Sequence, residues 1–462
     1  MVDQEKKTPL PNLNGVGERS RLFPVLAETS KEGRALSILL ACVANVRELG
    51  QSLLSDLGVR VGVRAEVETF TEVVFEKTGS DKSLRPDGLI LVRNGSRQWP
   101  AIVEAKIGNS ELSQEQIENY LDIAKQNKID AVITISNQFA PLPSHHPVQL
   151  GAISRRKSEL YHWSWMHILT ESKILLDNDN VADEDQRLIL NELVRFLAHD
   201  STGVKHFSQM PSEWTTVLST VQAGGGLSQT SADVKAVVGA WHQEGRDLSL
   251  TLSRQIGRNV KIRVPRAQRA DPTARLKADC KDLCSDNCLR LSLSVPDAAS
   301  PIEVVADLKT KSIAAVMRLK APADRKTTKA RINWLLRQLK KAESTELHVR
   351  LYWPGRGPFS QSTLEELRRN PDLVLENNNK SNVTSFEVLL VRDCGPRFSQ
   401  RKNFIVDLET VVPSFYLEAG QYLREWQAPA PRIREEKSGP KDVDTEALQE
   451  EAEREAGDFY EN

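Results

Sequence analysis

Residues 85–106 read RPDGLILVRNGSRQWPAIVEAK, and they decide the fold predicted for the first part of the chain. Two apolar runs, GLILVR and QWPAIVEAK, flank Asn94-Gly95, the dipeptide most typical of a tight hairpin turn. The sequence therefore predicts two antiparallel strands joined by that turn. An Asp, a Glu and a Lys occur in the same stretch, at positions that packing alone does not explain.

The acids and the lysine are predicted to meet at one end of this hairpin. Side chains alternate across a strand, so Glu104 and Lys106 point to one face and Ala105 to the other. Asp87 begins the partner strand, and pairing about the turn brings it near Glu104 or Lys106, within one residue of register. Carboxylates are the ligands that a hard cation such as Mg²⁺ prefers, and an adjacent lysine can orient water and stabilise charge on phosphorus. The set is suited to phosphodiester hydrolysis.

A helix and a buried strand are predicted directly after the hairpin. The helix begins at Ser113 and continues to about Asn127, and residues 130–136, DAVITIS, form the strand. A strand, a helix and a strand in this order predict a right-handed parallel crossover. Gln116 and Tyr120 share one face of the helix, within reach of a bound phosphate or an attacking water.

Periodicity and turn signals predict the elements around this unit. The order helix, three strands, helix, strand (αβββαβ) indicates an α/β sandwich core within residues 26–200. The surrounding segments are a loose lead-in (1–25), a long helix that a capping-box pattern opens at 29–32 and Gly58 ends, a strand (61–76), and flanking elements at 160–165 and 184–198.

These features together resemble the PD-(D/E)xK nuclease superfamily, which includes restriction enzymes, RecB-type nuclease domains and lambda exonuclease. The resemblance covers roughly residues 28–170 and implies a restriction-endonuclease-like core with metal-dependent nuclease activity. The residues that carry it are Pro86-Asp87, Glu104-Ala105-Lys106, and Gln116 with Tyr120.

The resemblance also implies a role for each of these residues. Asp87, Glu104 and the carbonyl of Ala105 would bind Mg²⁺ or Mn²⁺. Lys106 would serve the attacking water, and the Gln/Tyr pair would contact the substrate.

One further metal ligand is implied on the leading helix. A glutamate there often completes the site in this superfamily, and Glu32 matches it. Glu32 is equally well explained as the capping partner of Thr29. Glu66 and Glu68, on the preceding strand, compete for the same role.

Length and composition are those of a soluble globular protein with two or three domains. The chain has 462 residues, of which 39% are hydrophobic and 27% charged. No apolar run approaches the roughly 18 residues of a membrane helix, and the N-terminus has no apolar signal core, so we expect a cytoplasmic protein without a membrane partner. The five cysteines are sparse and odd in number, as expected of reduced thiols.

Three other groups have the residue types of metal or base-binding sites, but packing explains each more readily. The cysteines at every fourth residue lack a matching Cys or His pair, the histidines lie in a proline-flanked loop, and the tryptophans lie in an apolar strand. The groups are Cys280, Cys284 and Cys288; His145 and His146; Trp163 and Trp165.

Charge is distributed unevenly, although the net charge of the chain is only −1. Residues 258–341 hold 20 Lys and Arg against 8 Asp and Glu, a net charge of +12. Residues 435–462 hold 11 acids against 3 bases, a net charge of −8. This asymmetry favours a region that binds a polyanion and an acidic tail, and the alternative is a solvated basic face.

A second α/β (α+β) domain is predicted for residues 231–426, after a linker at 201–230 that contains AGGGLSQTS. No Gly-Lys-Ser/Thr follows these glycines, so a phosphate-binding loop is not expected. Residues 427–462 are predicted to be a disordered acidic tail. The predicted elements are helices near 232–257 and 327–341 and strands around 290–295, 302–307, 312–319, LHVRLYW (347–353) and FEVLLVR (386–392).

The predicted helix at residues 327–341, TTKARINWLLRQLKK, is the candidate for binding a phosphate backbone. Its apolar stripe is Ile332, Leu335, Leu336 and Leu339, and basic residues lie on its flanks or near its ends. The basic residues are Lys326, Lys329, Arg337, Lys340 and Lys341.

The function expected from the residues and the resemblance is a Mg²⁺- or Mn²⁺-dependent nuclease. DNA is the expected nucleic acid rather than RNA. Restriction or phage defence is the expected setting, with repair as the next candidate. The second domain would bind nucleic acid or a protein partner, and the tail is the other candidate for binding a protein. The alternative is a non-catalytic binding module that retained the nuclease fold. Such a module has no need of the Asp87, Glu104 and Lys106 set.

Overall fold

Two seven-stranded β-sheets with helices packed against them organise the chain, so the predicted mixed α/β class is confirmed. Residues 1–425 form one unit and residues 426–462 a second. We call residues 7–200 the N-terminal half and residues 201–425 the C-terminal half. The computed structural model describes residues 7–24, 26, 30–75, 85–148, 158–355, 357–372, 382–428 and 446–450.

The N-terminal half contains the first sheet. Its β-strands are rich in β-branched and aromatic residues, and helix α5 is capped by Asp183, whose side chain accepts from the Gln186 amide. The elements in chain order are β1 (Thr8–Pro9), β2 (Gly15–Arg19), α1 (Lys31–Asn45), α2 (Arg47–Ser55), β3 (Glu66–Phe75), β4 (Gly88–Asn94), β5 (Arg97–Ala105), α3 (Gln114–Gln126), β6 (Ala131–Ser136), β7 (Glu159–Ser164), α4 (Trp165–Asp177) and α5 (Glu184–Ala198).

The strands of the first sheet follow one another in chain order, from β1 to β7. Neighbours from β1 to β5 are antiparallel, whereas β6 is parallel to both β5 and β7. The predicted parallel crossover through α3 is therefore present. Alternate residues of the hairpin face opposite layers, because Ile90 and Val103 pack with α1, α2, α4 and α5, whereas Leu89 and Ile102 pack with α3.

Two predictions for this half need correction. The expected lead-in contains the strands β1 and β2, because Leu10 is buried against Phe70 and Phe75 and ties the segment to the sheet. The expected single long helix is divided into α1 and α2, since Val46 has an extended backbone. Gly50 permits this bend, because a Cβ there would lie 2.6 Å from the Val43 carbonyl oxygen.

The β4–β5 hairpin has the predicted strands but a turn displaced by one residue. Asn94 pairs with Arg97, so Gly95 and Ser96 are the turn residues rather than Asn94 and Gly95. Gly95 has φ of +62°, which a side chain would disfavour. At the other end Gly88 pairs with Val103, and this register fixes the residues just beyond.

The C-terminal half contains the second sheet. Helix α7 begins after Ser231, whose side chain accepts from the Asp233 amide, and ends at Gly257 with φ of +70°. Its elements are α6 (Glu213–Gln222), α7 (Ala232–Ile256), β8 (Lys261–Ile262), α8 (Arg266–Arg269), α9 (Pro272–Asp286), β9 (Cys288–Ser294), β10 (Ile302–Asp307), β11 (Ser312–Lys320), α10 (Thr328–Gln338), β12 (Leu347–Tyr352), β13 (Ser360–Thr363), α11 (Leu364–Arg369), β14 (Ser385–Asp393) and α12 (Arg401–Glu418).

All strand pairs of the second sheet are antiparallel, in the order β13-β12-β14-β11-β10-β9-β8. The predicted strands and the two predicted helices of this half are present, but α8, α9, α11, α12, β8 and β13 were not predicted. Residues 201–230 are not a plain linker, because they contain α6. Trp214 of that helix is fully buried against Phe398 and Phe404.

Helix α7 joins the two halves through polar contacts as well as packing. Arg246 donates to His167 Nδ1 on α4 over 3.0 Å, and Arg254 donates to Thr170 Oγ1 over 2.6 Å. Deeper in the C-terminal half, Glu244 is fully buried, and no described residue bonds its carboxylate oxygens.

No helix in the described part of the chain combines the length and the apolar character needed to cross a bilayer. The predicted acidic tail lies mostly outside the described residues, and within it residues 446–450 are helical.

Candidate active site

The β4–β5 hairpin sets Asp87 and Glu104 across from each other. Because Gly88 pairs with Val103, the next pair outward is Asp87 and Glu104. The amide of Ala105 donates to Asp87 Oδ2 over 3.0 Å and so holds this carboxylate against the end of β5. The predicted juxtaposition of the two acids is therefore present.

Glu104 is the most buried carboxylate of the group, with 1% of its surface exposed. Its Oε1 accepts from Lys106 Nζ over 2.7 Å and from Gln116 Nε2 over 2.6 Å. Its Oε2 is buried and has no hydrogen-bond partner among the described residues. An unpartnered carboxylate oxygen in a buried place is costly unless a cation satisfies it.

Burial and neighbouring charges shift the pKa values of Asp87 and Lys106. Burial raises the pKa of Asp87 to about 7, and the Glu104 carboxylate adds to the rise against the lowering effect of the Ala105 amide and Lys106. Burial alone would lower the pKa of Lys106, but the carboxylates, Glu104 foremost, outweigh it and raise the value. Lys106 therefore carries a positive charge beside a pair of acids that repel each other.

Helix α3 brings Gln116 and Tyr120 to this group, as their spacing predicts. Gln116 Nε2 also approaches Tyr120 Oη at 3.2 Å. Tyr120 is buried and donates to the carbonyl of Arg85 over 3.1 Å, a partner that the sequence did not indicate. Burial and the nearby carboxylates raise the pKa of Tyr120, so its hydroxyl stays protonated.

Glu32 on α1 reaches the same group from the other side. Its Oε1 accepts from the Ile107 amide over 3.4 Å, and its Oε2 lies 3.7 Å from Lys106 Nζ. Thr29, the alternative capping partner, lies outside the described residues. The competing residues Glu66 and Glu68 point away, because they pair with Arg93 near the turn end of β4.

The donor set fits a hard divalent cation. Asp87 and Glu104 are adjacent carboxylates, and one oxygen of Glu104 lacks a partner among the described residues. Glu32 contacts Lys106, and the three carboxylates do not bring one oxygen each within 4.8 Å of one another. Oxygen donors of this kind suit Mg²⁺ or Mn²⁺ rather than zinc, which prefers nitrogen and sulfur. The carbonyl of Ala105, at the end of β5, stays a predicted ligand.

A second group with metal-ligand residue types lies between α2 and α4, and no motif or spacing predicted it. Asp56, His167 and Glu171 offer ligand atoms within 4.8 Å of one another. Arg246 donates to His167 Nδ1, so the ring hydrogen is on Nε2, which faces Asp56 Oδ2 at 3.3 Å. A metal at Nε2 would have to displace this hydrogen and disrupt the bond between Nδ1 and Arg246. Burial raises the pKa of Asp56, but His167 and Arg246 outweigh it and lower the value, as in a charge network that joins the halves.

The groups assigned to packing make contacts within the protein. Trp163 and Trp165 are buried, and Trp165 Nε1 donates to the Lys106 carbonyl over 2.8 Å. His145 Nε2 bonds the Arg269 carbonyl over 2.7 Å, and His146 Nε2 bonds Thr134 Oγ1 over 2.8 Å. The cysteines are free thiols, and Cys288 lies on β9 rather than on the α9 stripe of Cys280 and Cys284.

The basic residues near α10 differ in their surroundings. Arg337 and Lys340 line a shallow depression of about 520 Å³ together with Arg325. Lys329 forms a 2.7 Å ion pair with Asp372. Lys341 lies over the ring of Tyr422, and Lys326 precedes the helix. The predicted apolar stripe packs inward, with Ile332, Leu335 and Leu339 fully buried and Leu336 partly buried.

Comparisons with models of protein families, with curated proteins and with solved structures give no match to this chain.

Proposed function

We propose that this protein is a metal-dependent nuclease that hydrolyses phosphodiester bonds of DNA. The observation that carries the proposal is the convergence of Asp87, Glu104 and Lys106 at one end of a hairpin, with a buried oxygen of Glu104 left without a partner among the described residues. The succession of α1, β3, β4, β5, α3 and β6 supports a restriction-endonuclease-like core, as the resemblance to PD-(D/E)xK nucleases implies.

Asp87, Glu104 and the Ala105 carbonyl would hold Mg²⁺ or Mn²⁺, with Glu32 as a further ligand directly or through water. A bound cation would supply Lewis-acid activation of a phosphate oxygen and lower the pKa of bound water. The carboxylates would be relieved of their mutual repulsion, so Asp87 would stay ionised well below the pKa of about 7 that it has beside Glu104.

The remaining residues would act on water and phosphate. Lys106 carries its charge next to the acids and would orient the attacking water and stabilise charge that develops on phosphorus. Gln116, bonded to Glu104 in the structure, would position a water or a phosphate oxygen by its amide. Tyr120 would act mainly through this network, because its hydroxyl is buried and bonded to the Arg85 carbonyl.

The basic face around α10 would bind the phosphate backbone. Arg337 and Lys340 are suited to this because both line the open depression. Lys329 would contribute less, since Asp372 already pairs with it.

The test is cleavage of labelled single- and double-stranded DNA and RNA by the full chain in Mg²⁺, Mn²⁺ or EDTA. We expect DNA cleavage that EDTA abolishes and that Asp87→Asn and Glu104→Gln each reduce below detection. Glu66→Gln on the same sheet is the matched control, because Glu66 is exposed and paired with Arg93, and this variant should cut as the parent does. Mn²⁺ binding, measured by calorimetry, should weaken in the first two variants alone.

Unchanged cutting by Glu104→Gln would refute the site. A protein that binds DNA but cleaves none of the substrates with either metal would be the non-catalytic module instead.

A further inference from the structure

A cavity of about 680 Å³ lies where the N-terminal half meets helices α7 and α9. This volume is in the range of sites for small organic ligands and exceeds what a single ion needs. The residues that line it include a set of apolar side chains suited to the body of such a ligand. These apolar residues are Phe139, Pro141, Pro147, Val148, Leu160 and Leu276.

Arg275, in the first turns of α9, supplies a buried cation to the cavity wall. Its surface is 6% exposed, and its Nη1 is buried without a hydrogen-bond partner among the described residues. Among the residues that the structure describes, Asp279 is the one carboxylate paired with it, 3.5 Å from Nε, and Asp279 is also bonded to His242 Nε2 at 2.5 Å. A guanidinium holds five N–H donors, so this arrangement leaves donor capacity for an incoming acceptor.

The other charges of the lining are few. Burial lowers the pKa values of His145 and His242, so both rings are neutral near pH 7. Glu159 is an exposed acid of the lining and accepts from the hydroxyl of Tyr161. The cavity thus presents a buried cation, neutral imidazoles and an apolar wall.

The start of α9 adds to the attraction for an anion. A 15-residue helix has a partial positive charge at its N-terminus, and Pro272 and Thr273 of the first turn line the cavity. The Asp271 carboxylate caps the helix by accepting from the Thr273 amide, which offsets part of that charge. Arg275 is therefore the main anchor.

We propose that this cavity binds a small organic oxyanion, a carboxylate or a phosphate carried on an apolar body, with Arg275 holding the charged group. The ligand would touch residues 139–148 and Ser158, between β6 and β7 in the N-terminal half, and two helices of the C-terminal half, and so would bridge them. The inference is independent of the nuclease proposal, because the lining includes none of the residues assigned to catalysis.

The test is calorimetric titration of the full chain, in EDTA, with phenyl phosphate, benzoate and neutral benzyl alcohol. We expect saturable binding of at least one anion, and benzyl alcohol should bind roughly tenfold more weakly or worse, because it cannot make a charge-assisted bond. The better of the two anions identifies the charged group as phosphate or carboxylate. Glu104→Gln should bind the anion as the parent does.

Two substitutions test the cavity in different ways. Gly239→Leu should fill it, since a Cβ at Gly239 meets open space and leucine favours the helix, so this variant should fold and bind about tenfold less or worse. Arg275→Gln should remove the anchor with a similar loss. Arg290→Gln is the matched control, because Arg290 pairs with Asp286 away from the lining, and it should bind normally.

Three results would overturn the proposal. They are the absence of saturable binding of either anion, equal affinity for benzyl alcohol, and full affinity in Gly239→Leu. If Arg275→Gln fails to fold, the Gly239 variant and the neutral probe decide the matter.

Discussion

Lys106 Nζ lies 2.7 Å from Glu104 Oε1, because Lys106 directly follows β5 and its side chain extends to the same face as that of Glu104. The ammonium group therefore neutralises a carboxylate that a divalent cation would also seek. A bound metal and Lys106 would compete for Glu104, and this competition would make the two proposed roles separable by experiment.

We expect Lys106→Ala to leave Mn²⁺ affinity unchanged or higher, because it removes the competing cation from Glu104. DNA cleavage should fall by about 100-fold or more, the usual loss for a group that transfers protons or stabilises charge. Calorimetry measures the first effect and a cleavage assay the second. Lys125→Ala, on the exposed face of α3, is the control, and cleavage at the parental rate in the Lys106 variant would leave Lys106 without a catalytic role.

Tyr120→Phe should have a milder effect. The ring stays buried, and only the hydrogen bonds of the hydroxyl with Arg85 and Gln116 are lost, so cleavage should fall less than about tenfold and stability by about 1 kcal/mol. Gln116→Ala should also cost less than the Lys106 variant. Single-turnover cleavage and urea unfolding measure these effects, and a loss from Tyr120→Phe as large as that from Lys106→Ala would mean that the hydroxyl itself acts on the substrate.

The basic residues that line the depression beside α10 should contribute to the salt dependence of nucleic-acid affinity. Reversing Arg337 and Lys340 to glutamate should flatten the plot of log affinity against log salt by about two units, close to one per lost phosphate contact. Lys329→Glu should flatten it less, because Asp372 already neutralises Lys329. Fluorescence anisotropy in Ca²⁺ measures the slope. Lys402→Glu, an exposed change on α12, is the control, and an unaltered slope in the double variant would place the grip elsewhere.

Stability should depend on pH through Glu409, whose carboxyl is influenced by the charge of Asp247. Burial, followed by the Asp247 charge, raises the pKa of Glu409 to about 7 from the usual 4.5. A carboxyl with a raised pKa in the folded state stabilises the fold below its unfolded pKa, and this stabilisation is lost as pH rises towards 7 and above. Glu409→Gln should therefore gain on the order of 2 kcal/mol over the parent at pH 8 and almost nothing at pH 4. Urea unfolding at both pH values tests this, and a gain that is equal at both would exclude the ionisation of Glu409 as its cause.

The bend between α1 and α2 should be sensitive to a single methyl group. Gly50→Ala would place Cβ 2.6 Å from the Val43 carbonyl oxygen, which is backbone and cannot move aside. We expect a loss of about 1–3 kcal/mol, although alanine favours a helix by about 1 kcal/mol. Gly239→Ala, where the same atom meets open space, should instead stabilise the protein. Chemical unfolding of the two variants compares them, and a stabilised Gly50 variant would contradict the steric origin of the bend.

The candidate site was predictable because it is local in the sequence. A hairpin signal and the alternation of strand side chains bring Asp87, Glu104 and Lys106 together within 20 residues, and one helical turn adds Gln116 and Tyr120. The observed turn is displaced by one residue from the predicted one, but the three side chains still lie at the same end of the hairpin.

The features that were missed depend on distant partners or on a misleading average composition. Leu10 is buried only because Phe70 and Phe75 lie beside it, and Arg246 meets His167 from 79 residues away. In residues 201–230 the three consecutive glycines at 224–226 follow α6, and Gly224 with φ of +74° ends that helix. Because the prediction rested on the composition of the whole segment, it missed the ordered helix α6.

The chain order of the strands in the first sheet also has a consequence for folding kinetics. Each strand pairs with the next one along the chain, but the loops that these pairings close differ in length. The β2–β3 pairing spans α1 and α2, whereas the β4–β5 pairing is local and forms quickly. The β4–β5 hairpin, whose turn is two residues long, can form on the microsecond scale before the sheet is complete. Asp87 and Glu104 would then come into repulsive contact early, and a cation that binds the acids at that stage would speed folding as well as stabilise the finished protein.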